Sequence, residues 1–546
     1  MRAVPDVQAD RVQIAAIVFG RIDIACLRRQ IGQAYRRQGL EQGRKRVRRS
    51  VVDIEAVFAP MHDRNALGHF RQQQRRQDMF DIGPQAVAPA FYHQTPAAAR
   101  PRFGARQSGA QRPQFGFDRR IRACRMPGQQ AIFQSMTRNQ GSQEAAYYLS
   151  LLAYFDNVRA KIDALPEGGG APRPLVMNVI VWGARYVDSL LTYSFPSLMA
   201  AGNIPQLARG RRVIIDIFTT QADRDAITAS PAGKAVMACA TLRFTIIADN
   251  LLSGAAQKSV FNYDRWLIAG AQQCSALHAR RIGADVTFIS CSAVYSMDCF
   301  SVAAGFIDEG YRAVVTCPPR TEEPAMLSHL KHYAEISSGA ITIDAPSLTR
   351  FAIDNLHSHS RACFIAAQPK LAYQSAVALF FRTRSGFAIR SFQLSPILIS
   401  HRLLDHGFSV DYLSVDARFI AELVRGKSPG ALLKVISNPA EEMVVADIDT
   451  ASGPAMKAYD GVPVTIDASA TFALATVLRE TDLAFYEWAL RQRVEYTTSG
   501  DPGSLPERGL DEDETIESLI GLIRQQSQSV RKTLRLYRSS PRSHSA

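Results

Sequence analysis

The sequence predicts an α/β protein with a mainly parallel, Rossmann-like sheet, helices on both faces, a disordered N-terminal extension and a helical C-terminal part. Two observations lead to this prediction. From Val176 onward, short apolar runs alternate with longer amphipathic runs, the order of parallel strands joined by crossover helices. The 546 residues are also 47% hydrophobic and 21% charged, which is typical of a soluble globular protein with a sizeable core.

Five strand-like runs precede residue 320, and each is followed by small or polar residues. The runs are MNVIVW, RRVIIDIFTT, LRFTIIAD, DVTFIS and YRAVVTC. The second contains Asp216, which we expect at an edge or mouth of the sheet. In open parallel sheets, ligands bind outside the carboxyl ends of the strands. The residues at these five ends therefore predict a cradle for a polar ligand.

Beyond residue 318 the pattern is less regular. Strand-like pieces (FAIRSFQLSPILIS, FSVDYL, LLKVIS and MVVADID) precede a helical run over 470–498 and a helix over about 513–537. The last helix begins with acidic and ends with basic residues, the charge order that its dipole favours. The predicted units are a disordered extension, a leader helix with a linker, an α/β core, an α+β part and a helical region: 1–140, 141–174, 175–345, 346–470 and 471–546.

The net charge of +14 is confined to the first quarter of the chain. Residues 1–140 hold 25 of the 64 Lys+Arg and 10 of the 50 Asp+Glu, which leaves 39 basic and 40 acidic residues in the other 406. Low burial potential predicts disorder there. The GRKRVRRS cluster is able to hold phosphates, and a solvated tail is the alternative interpretation.

Several classes of protein are disfavoured by missing patterns. The sequence has no G-x-G-x-x-G after the first strand, no P-loop, no C-x-x-C pair and no G-x-S-x-G elbow, so NAD, FAD, common nucleotide hydrolysis, zinc and α/β-hydrolase chemistry are not expected. No apolar run reaches the length of a membrane span, and no signal peptide is recognisable. We therefore expect a cytoplasmic protein with buried, reduced cysteines.

Three motifs lie between residues 178 and 220: V-W-G-x-x-Y, P-S-L-M-A-A-G-N-I-P and I-F-T-T. Together with GADVTFISCSAVYSMDCFSVAAGFIDEGYRAVVTCPPR, RSFQLSPILIS and VISNPAEEMVVADID, they resemble a family of bacterial glycosyltransferase-like proteins. The resemblance covers roughly residues 175–450. It implies a GT-A-like fold, in which residues 175–345 bind a nucleotide sugar and residues 346–470 lie on the acceptor side.

The resemblance also implies where the donor binds. The end of the first strand and the following loop hold the nucleotide in such enzymes, which corresponds to Trp182, Gly183 and Tyr186. Thr219 and Thr220 would then line the neighbouring strand end.

A later strand of the family carries a D-x-D motif that binds Mn²⁺ or Mg²⁺ against the diphosphate. The corresponding strand here is DVTFIS, and this sequence departs from the pattern. Ser292 stands where an acid is expected, and Asp298 lies six residues further on. A divalent cation thus remains an open expectation, and Asp298 is a candidate catalytic acid.

Four other places in the sequence offer acids or histidines. Asp249, at a strand end, is a candidate base or ribose contact, with helix capping as the alternative. His357 is a candidate phosphate contact or acid/base group, and Asp411 a candidate acceptor-side general base. A literal D-x-D at 447–449 is a weak match, because one such triplet is expected by chance. The acids at 511–513 are more typical of a helix start.

The leading hypothesis is a glycosyltransferase that transfers a sugar from a nucleotide-diphosphate donor to a glycan or lipid-linked acceptor, with peripheral membrane contact allowed. A catalytically inactive relative that binds a sugar nucleotide or glycan is the alternative from another class. Nucleic-acid binding through the basic N-terminus ranks third, because ordered modules and aromatic platforms for it are not evident.

Overall fold

The computed structural model describes residues 143–168, 172–252, 263–335, 339–361, 363–365, 378–392, 394–404, 417–449, 483–500, 502, 503, 505, 509 and 511–539. The strands within this part are β1 (Leu175–Ile180), β2 (Val213–Thr219), β3 (Thr241–Ile246), β4 (Asp285–Ile289), β5 (Ala293–Tyr295), β6 (Ala313–Thr316), β7 (Arg320–Glu322), β8 (Ala378–Arg382), β9 (Gly386–Ser391), β10 (Ser395–Ile399), β11 (Leu433–Val435), β12 (Val445–Asp449) and β13 (Val494–Thr497).

The described α-helices are α1 (Gln143–Asp163), α2 (Ala184–Ser189), α3 (Phe195–Leu198), α4 (Ile204–Gly210), α5 (Gln221–Ala229), α6 (Pro231–Cys239), α7 (Tyr263–Arg281), α8 (Cys299–Asp308), α9 (Glu323–Leu330), α10 (Ala345–Asp354), α11 (Ser358–Arg361), α12 (His401–Leu404), α13 (Ala417–Leu423), α14 (Pro429–Leu432), α15 (Leu483–Arg491) and α16 (Glu512–Ser539). A π-helical segment (Leu190–Ser194) joins α2 to α3, and a 3-10 turn (Asp249–Leu251) follows β3.

The central element is a seven-stranded sheet with the strand order β11-β6-β10-β4-β1-β2-β3. Strands β3, β2, β1 and β4 are mutually parallel, and β11 is parallel to β6. Only β10 in this sheet runs in the opposite direction, antiparallel to both β4 and β6. The predicted mainly parallel sheet is therefore confirmed, with β10 making it a mixed sheet.

Alternate residues of the strands serve opposite faces of the sheet. Met177 and Val179 of β1 belong to an apolar cluster with helices α2 to α6 and α8. Val176 belongs to a second cluster that includes α7 and reaches the C-terminal helix α16. Because both faces are covered, β1, β2 and β4 are buried along almost their whole length, as parallel strands require.

Helix α1, predicted as a leader element, is part of the cover of the sheet. Its residues Phe155 and Ile162 are buried in a cluster with α7 and the ends of β2 and β3. The two helices approach closely at Gly270, where an added Cβ would lie 2.3 Å from the ring of Phe155. This contact therefore requires glycine at position 270.

Two three-stranded sheets complete the described fold, with the orders β5-β12-β7 and β13-β9-β8. The second corrects the sequence prediction, which placed residues 494–497 within a helical run. These residues form β13, because Val494 and Tyr496 alternate with polar residues and are buried against β9. The predicted C-terminal helix is confirmed as α16, and the predicted helix before it as α15.

Some predictions concern residues outside the described part of the chain. They include the disorder and the basic cluster of residues 1–140, the FSVDYL segment with Asp411, and the first part of the helical run over 470–498. Among the described helices, none is long and apolar enough to cross a membrane.

Candidate functional site

The order of the parallel strands locates a crevice. From β1 the chain proceeds outward to β2 and β3, and then returns to place β4 on the other side of β1. The gap between the carboxyl ends of β1 and β4 is thus a topological switch point, where open α/β sheets bind ligands. We call the polar residues at this gap, namely Arg185, Tyr186, Ser292, Arg320, Asp447 and Asp449, the rim site.

The loop after β1 is held open by its neighbours. Gly183 has a φ of 84°, a conformation that glycine adopts without strain. Its N–H donates to Asp223 Oδ2 at 2.9 Å, and Thr220 Oγ1 donates to the same oxygen at 2.8 Å. Thr220 also caps α5 by accepting from the N–H of Asp223. The predicted ligand contacts Gly183 and Thr220 therefore participate in a network that fixes the loop.

Tyr186 follows this loop, and its hydroxyl is buried without a hydrogen-bond partner in the described part. Burial raises the pKa of Tyr186 above its ordinary value, and the nearby Cys291, Asp449 and Asp264 contribute to the increase. The guanidinium of Arg185 lies 5.5 Å from the centre of the Tyr186 ring, within the range of a cation–π contact. Tyr186 is thus a phenol donor whose hydrogen bond is available to a ligand.

The turn after β4 is tightly held. Ser194 Oγ, on the π-helical segment, lies 2.7 Å from Ser290 O and 3.0 Å from Ala293 O. The N–H of Ser292 donates to Ser290 Oγ at 3.3 Å, and burial raises the pKa of the Cys291 thiol to about 12. This turn therefore presents one partly exposed hydroxyl, that of Ser292, and a thiol that stays protonated at neutral pH.

The small sheet β5-β12-β7 brings the D-x-D of residues 447–449 to this turn. The N–H of Ile448 donates to Ser292 O at 2.7 Å. Asp447 and Asp449 lie on the same face of β12, since they are two residues apart on a strand. Asp447 is 4% exposed and Asp449 has a 21% exposed side chain. An acid pair therefore lies beside the residue that the resemblance placed at the metal site.

The two acids have different surroundings. Neither carboxyl oxygen of Asp447 has a hydrogen-bond partner in the described part. Burial raises the pKa of Asp447 well above its ordinary value, the charge of Arg320 offsets this only in part, and Asp449 adds to it. Asp449 Oδ2 lies 3.5 Å from Arg320 Nη1. Asp447 is thus a neutral acid at the bottom of the rim site, and Asp449 is an ion-pair partner nearer the surface.

Arg320 begins β7 and is anchored through its backbone. Its N–H donates to Ser360 Oγ at 3.0 Å, and its carbonyl accepts from the N–H of His357 at 2.9 Å. His357, the predicted phosphate contact or acid/base group, is 2% exposed. The structure therefore brings His357 next to Arg320, one residue of the rim site.

The other candidate residues lie at varied distances from the rim site. Thr219 is fully buried at the end of β2 and its hydroxyl has no hydrogen-bond partner in the described part. Trp182 packs with α1 and α7 on the opposite face of the sheet from Tyr186. Asp249 is exposed in the turn after β3, at the sheet edge. Asp298 lies beside Gly202 at the start of α8 rather than at the end of β4.

Sequence reasoning did not identify Arg320 and underrated the D-x-D of β12. Arg320 follows directly after Pro318 and Pro319 at a strand end that the sequence did predict, so its position was a usable signal. The D-x-D had only its chance-level frequency in its favour. Its proximity to Ser292 depends on a strand pairing between residues more than a hundred positions apart.

The residues of the rim site do not fit a resident divalent cation. The Ser290 hydroxyl accepts a backbone bond, the Cys291 thiol is protonated, and Asp447 is an orphaned buried acid. Asp449 already faces a guanidinium. Within the described residues, no group of three or more His, Cys, Asp or Glu side chains is arranged to hold a metal ion. We therefore route no step through a metal.

Fold and site together define an α/β protein with a polar ligand crevice at a topological switch point. In comparisons with known proteins, no protein-family model matches the chain, and no curated protein matches it significantly.

Proposed function

We propose that the protein is a GT-A-like glycosyltransferase that binds a nucleotide-diphosphate sugar in the crevice between β1 and β4. The reaction transfers the sugar to a hydroxyl of a glycan or lipid-linked acceptor, in bacterial polysaccharide or glycoconjugate synthesis. The family resemblance of residues 175–450 supplies the reaction class. Such a transfer needs charge neutralisation on the leaving diphosphate and a base near the acceptor hydroxyl.

One observation supports this proposal most: the rim site gathers donors suited to an anionic ligand at the switch point. Arg185 and Arg320 provide two guanidinium groups, and Tyr186 and Ser292 provide hydroxyls. Guanidinium groups bind phosphate oxygens through two parallel hydrogen bonds. His357, next to Arg320, remains the candidate acid/base group of this region, while Asp411 and Asp298 remain predictions without a position in the rim site.

A second candidate function is a catalytically inactive relative that binds a sugar nucleotide or a glycan. The observation that favours it is the state of the acids: Asp447 is buried and protonated, and Asp449 is paired with Arg320. Neither acid is placed as a free carboxylate facing an acceptor. The two functions share the same ligand and differ only in turnover.

A thermal-shift screen of the full chain with UDP-, GDP- and CMP-sugars, with and without manganese, tests both functions. A ligand at a hundred times its Kd stabilises the folded state by about 2.7 kcal/mol, which a melting curve detects. We expect one sugar nucleotide to raise the Tm, followed by slow release of the free nucleoside diphosphate. Stabilisation without release supports the inactive relative, and no stabilisation by any of them refutes the proposal.

A matched pair of variants locates the binding. Arg185→Ala removes an exposed guanidinium from the rim site, whereas Arg209→Ala removes an exposed one from α4, where it contacts only Gln206 among the printed neighbours of the helix. We expect Arg185→Ala to reduce the Tm shift and Arg209→Ala to leave it unchanged. Equal shifts for both variants would place the ligand elsewhere.

A further inference from the structure

Arg320 occupies the position at which a cation would be required. It is paired in register with Asp447 across β7 and β12, so the two side chains lie on the same face of the small sheet. Its Nη1 lies 3.5 Å from Asp449 Oδ2. The positive charge nearest to the acid pair is therefore a guanidinium that belongs to the chain itself.

We propose that Arg320, and not a divalent cation, neutralises the diphosphate of the ligand, and that Asp449 holds the guanidinium in the crevice until the ligand binds. This inference rests on the proposed function, because it concerns the same crevice and the same class of ligand. It assigns Arg320 as the diphosphate-binding residue and predicts that the donor binds without metal.

Accessibility argues against a cation bound by both acids. A magnesium ion that contacts a diphosphate keeps several water molecules. Asp447 is 4% exposed, so a hydrated ion does not reach it without opening the small sheet. Asp449, with a 21% exposed side chain, would be left as a single ligand. One carboxylate is a weak anchor for a metal ion.

The contact between Arg320 and Asp449 is of a kind that a diphosphate can replace. At 3.5 Å it is at the long end for a hydrogen bond. A diphosphate offers several oxygens in the geometry that a guanidinium fork prefers. Meanwhile the backbone of Arg320 is fixed by Ser360 and His357. Only the side chain has to reorient, so the ordering cost of ligand binding is small.

Calorimetric titration of the full chain with UDP, GDP and CDP, first in EDTA and then in manganese chloride, tests the inference. We expect one nucleotide to bind in EDTA with an affinity that manganese changes less than about threefold. Arg320→Ala should weaken this binding about 10- to 100-fold, the usual effect of losing a charge-assisted hydrogen bond. Arg209→Ala, the distant exposed arginine, should leave the affinity unchanged.

Asp449→Asn separates the two mechanisms most sharply. If Arg320 binds the diphosphate, this substitution removes a competing carboxylate, and we expect equal or several-fold tighter binding in EDTA. If the acids bind a metal, the same substitution abolishes a manganese-dependent affinity. Arg320→Lys covers a folding failure of Arg320→Ala: it keeps the charge but loses the fork, so we expect about a tenfold loss.

The possible failures are distinguishable. Binding that requires manganese, survives Arg320→Ala and is lost in Asp449→Asn overturns this inference and leaves the proposed function standing. Absence of binding by all three nucleotides in both buffers removes the proposed function itself, and the inference with it.

Discussion

Two aspartates on strands of this protein are almost equally buried and are treated in opposite ways. Asp216, in the middle of β2, and Asp447, on β12 at the rim of the sheet, are 0% and 4% exposed. Asp216 accepts hydrogen bonds from Arg243 at 2.6 and 3.0 Å and contacts His278 Nδ1 at 2.8 Å. Asp447 has no partner for either oxygen in the described part.

The pKa values of the two carboxyls follow from these surroundings. Burial alone would raise the pKa of Asp216, but the hydrogen bonds and charges of His278 and Arg243 bring it below its ordinary value. Burial raises the pKa of Asp447, and the charge of Arg320 is insufficient to reverse the shift. The paired aspartate stabilises the fold, whereas the unpaired one lowers stability at a place where a ligand binds, as is common at functional sites.

The largest expected effect comes from breaking the paired site. Asp216→Ala leaves Arg243 and His278 without their counter-charge, and removing one partner of a buried ion pair costs about 3–5 kcal/mol. We expect a loss of this size in the free energy of unfolding, measured by urea denaturation at pH 7. Asp225→Ala, at an exposed aspartate of α5, is the control and should change nothing measurable.

The second effect has the opposite sign. The folded state holds a proton on Asp447 that the unfolded chain releases, so this group lowers stability as the pH rises from about 4 toward its folded pKa. Asp447→Asn does not titrate. We expect the variant to match the wild type at pH 4 and to be about 1–3 kcal/mol more stable at pH 8. Equal stability at both pH values would mean that Asp447 is paired.

For Asp216 the pH dependence runs the other way. Its folded pKa is lowered, so its contribution is present above about pH 4 and is lost as the pH falls through the folded pKa. The pH profile of Asp216→Ala relative to the wild type should therefore converge below pH 4, where that of Asp447→Asn also meets the wild type. Urea midpoints collected between pH 3 and pH 8 measure both profiles together.

A smaller loss is expected from His278→Gln. Glutamine keeps a donor near Asp216, and Arg243 retains both of its hydrogen bonds, so only one imperfectly replaced contact is lost. We expect a destabilisation of about 1 kcal/mol in the same urea assay. A loss as large as that of Asp216→Ala would show that His278, rather than Arg243, is the essential partner.

The smallest effect on stability is expected at Tyr186. Its hydroxyl is buried without a partner in the described part, so Tyr186→Phe should change the free energy of unfolding by less than about 0.5 kcal/mol. Tyr193→Phe is the matched control, because that phenol lies 3.4 Å from Glu323 Oε1 and its removal should cost more. In the thermal-shift screen the order should reverse, with only Tyr186→Phe reducing the shift by the sugar nucleotide.

Much of the fold was predictable because its signals are local. The alternation of strands and helices from β1 to β6 follows from apolar periodicity over a few residues at a time. The helices α1 and α16 follow from the same kind of pattern. Residues 494–497 show its limit: their four-residue strand continues directly from a helical run, and only the pairing with β9 reveals it.

The candidate site was predictable only in part. The end of β1 and the end of β4 were correctly expected at one edge, because parallel strands align their carboxyl ends. Asp216 was expected at an edge or mouth, and this was wrong: it lies in the middle of β2, fully buried under α7. A lone acid in an apolar strand carries no signal of the arginine and histidine that pair with it 27 and 62 residues later.

By itself, the sequence determined the order of strands and helices, the two-sided burial of the sheet and the edge at which polar residues collect. These follow from the spacing of apolar residues along a short stretch of chain. Only the tertiary structure decided the antiparallel insertion of β10, the arrival of the 447–449 acids beside Ser292 and the pairing of Arg320 with Asp449. That pair joins residues 129 positions apart, and contacts at such separation leave no periodic trace because they depend on how distant strands pair.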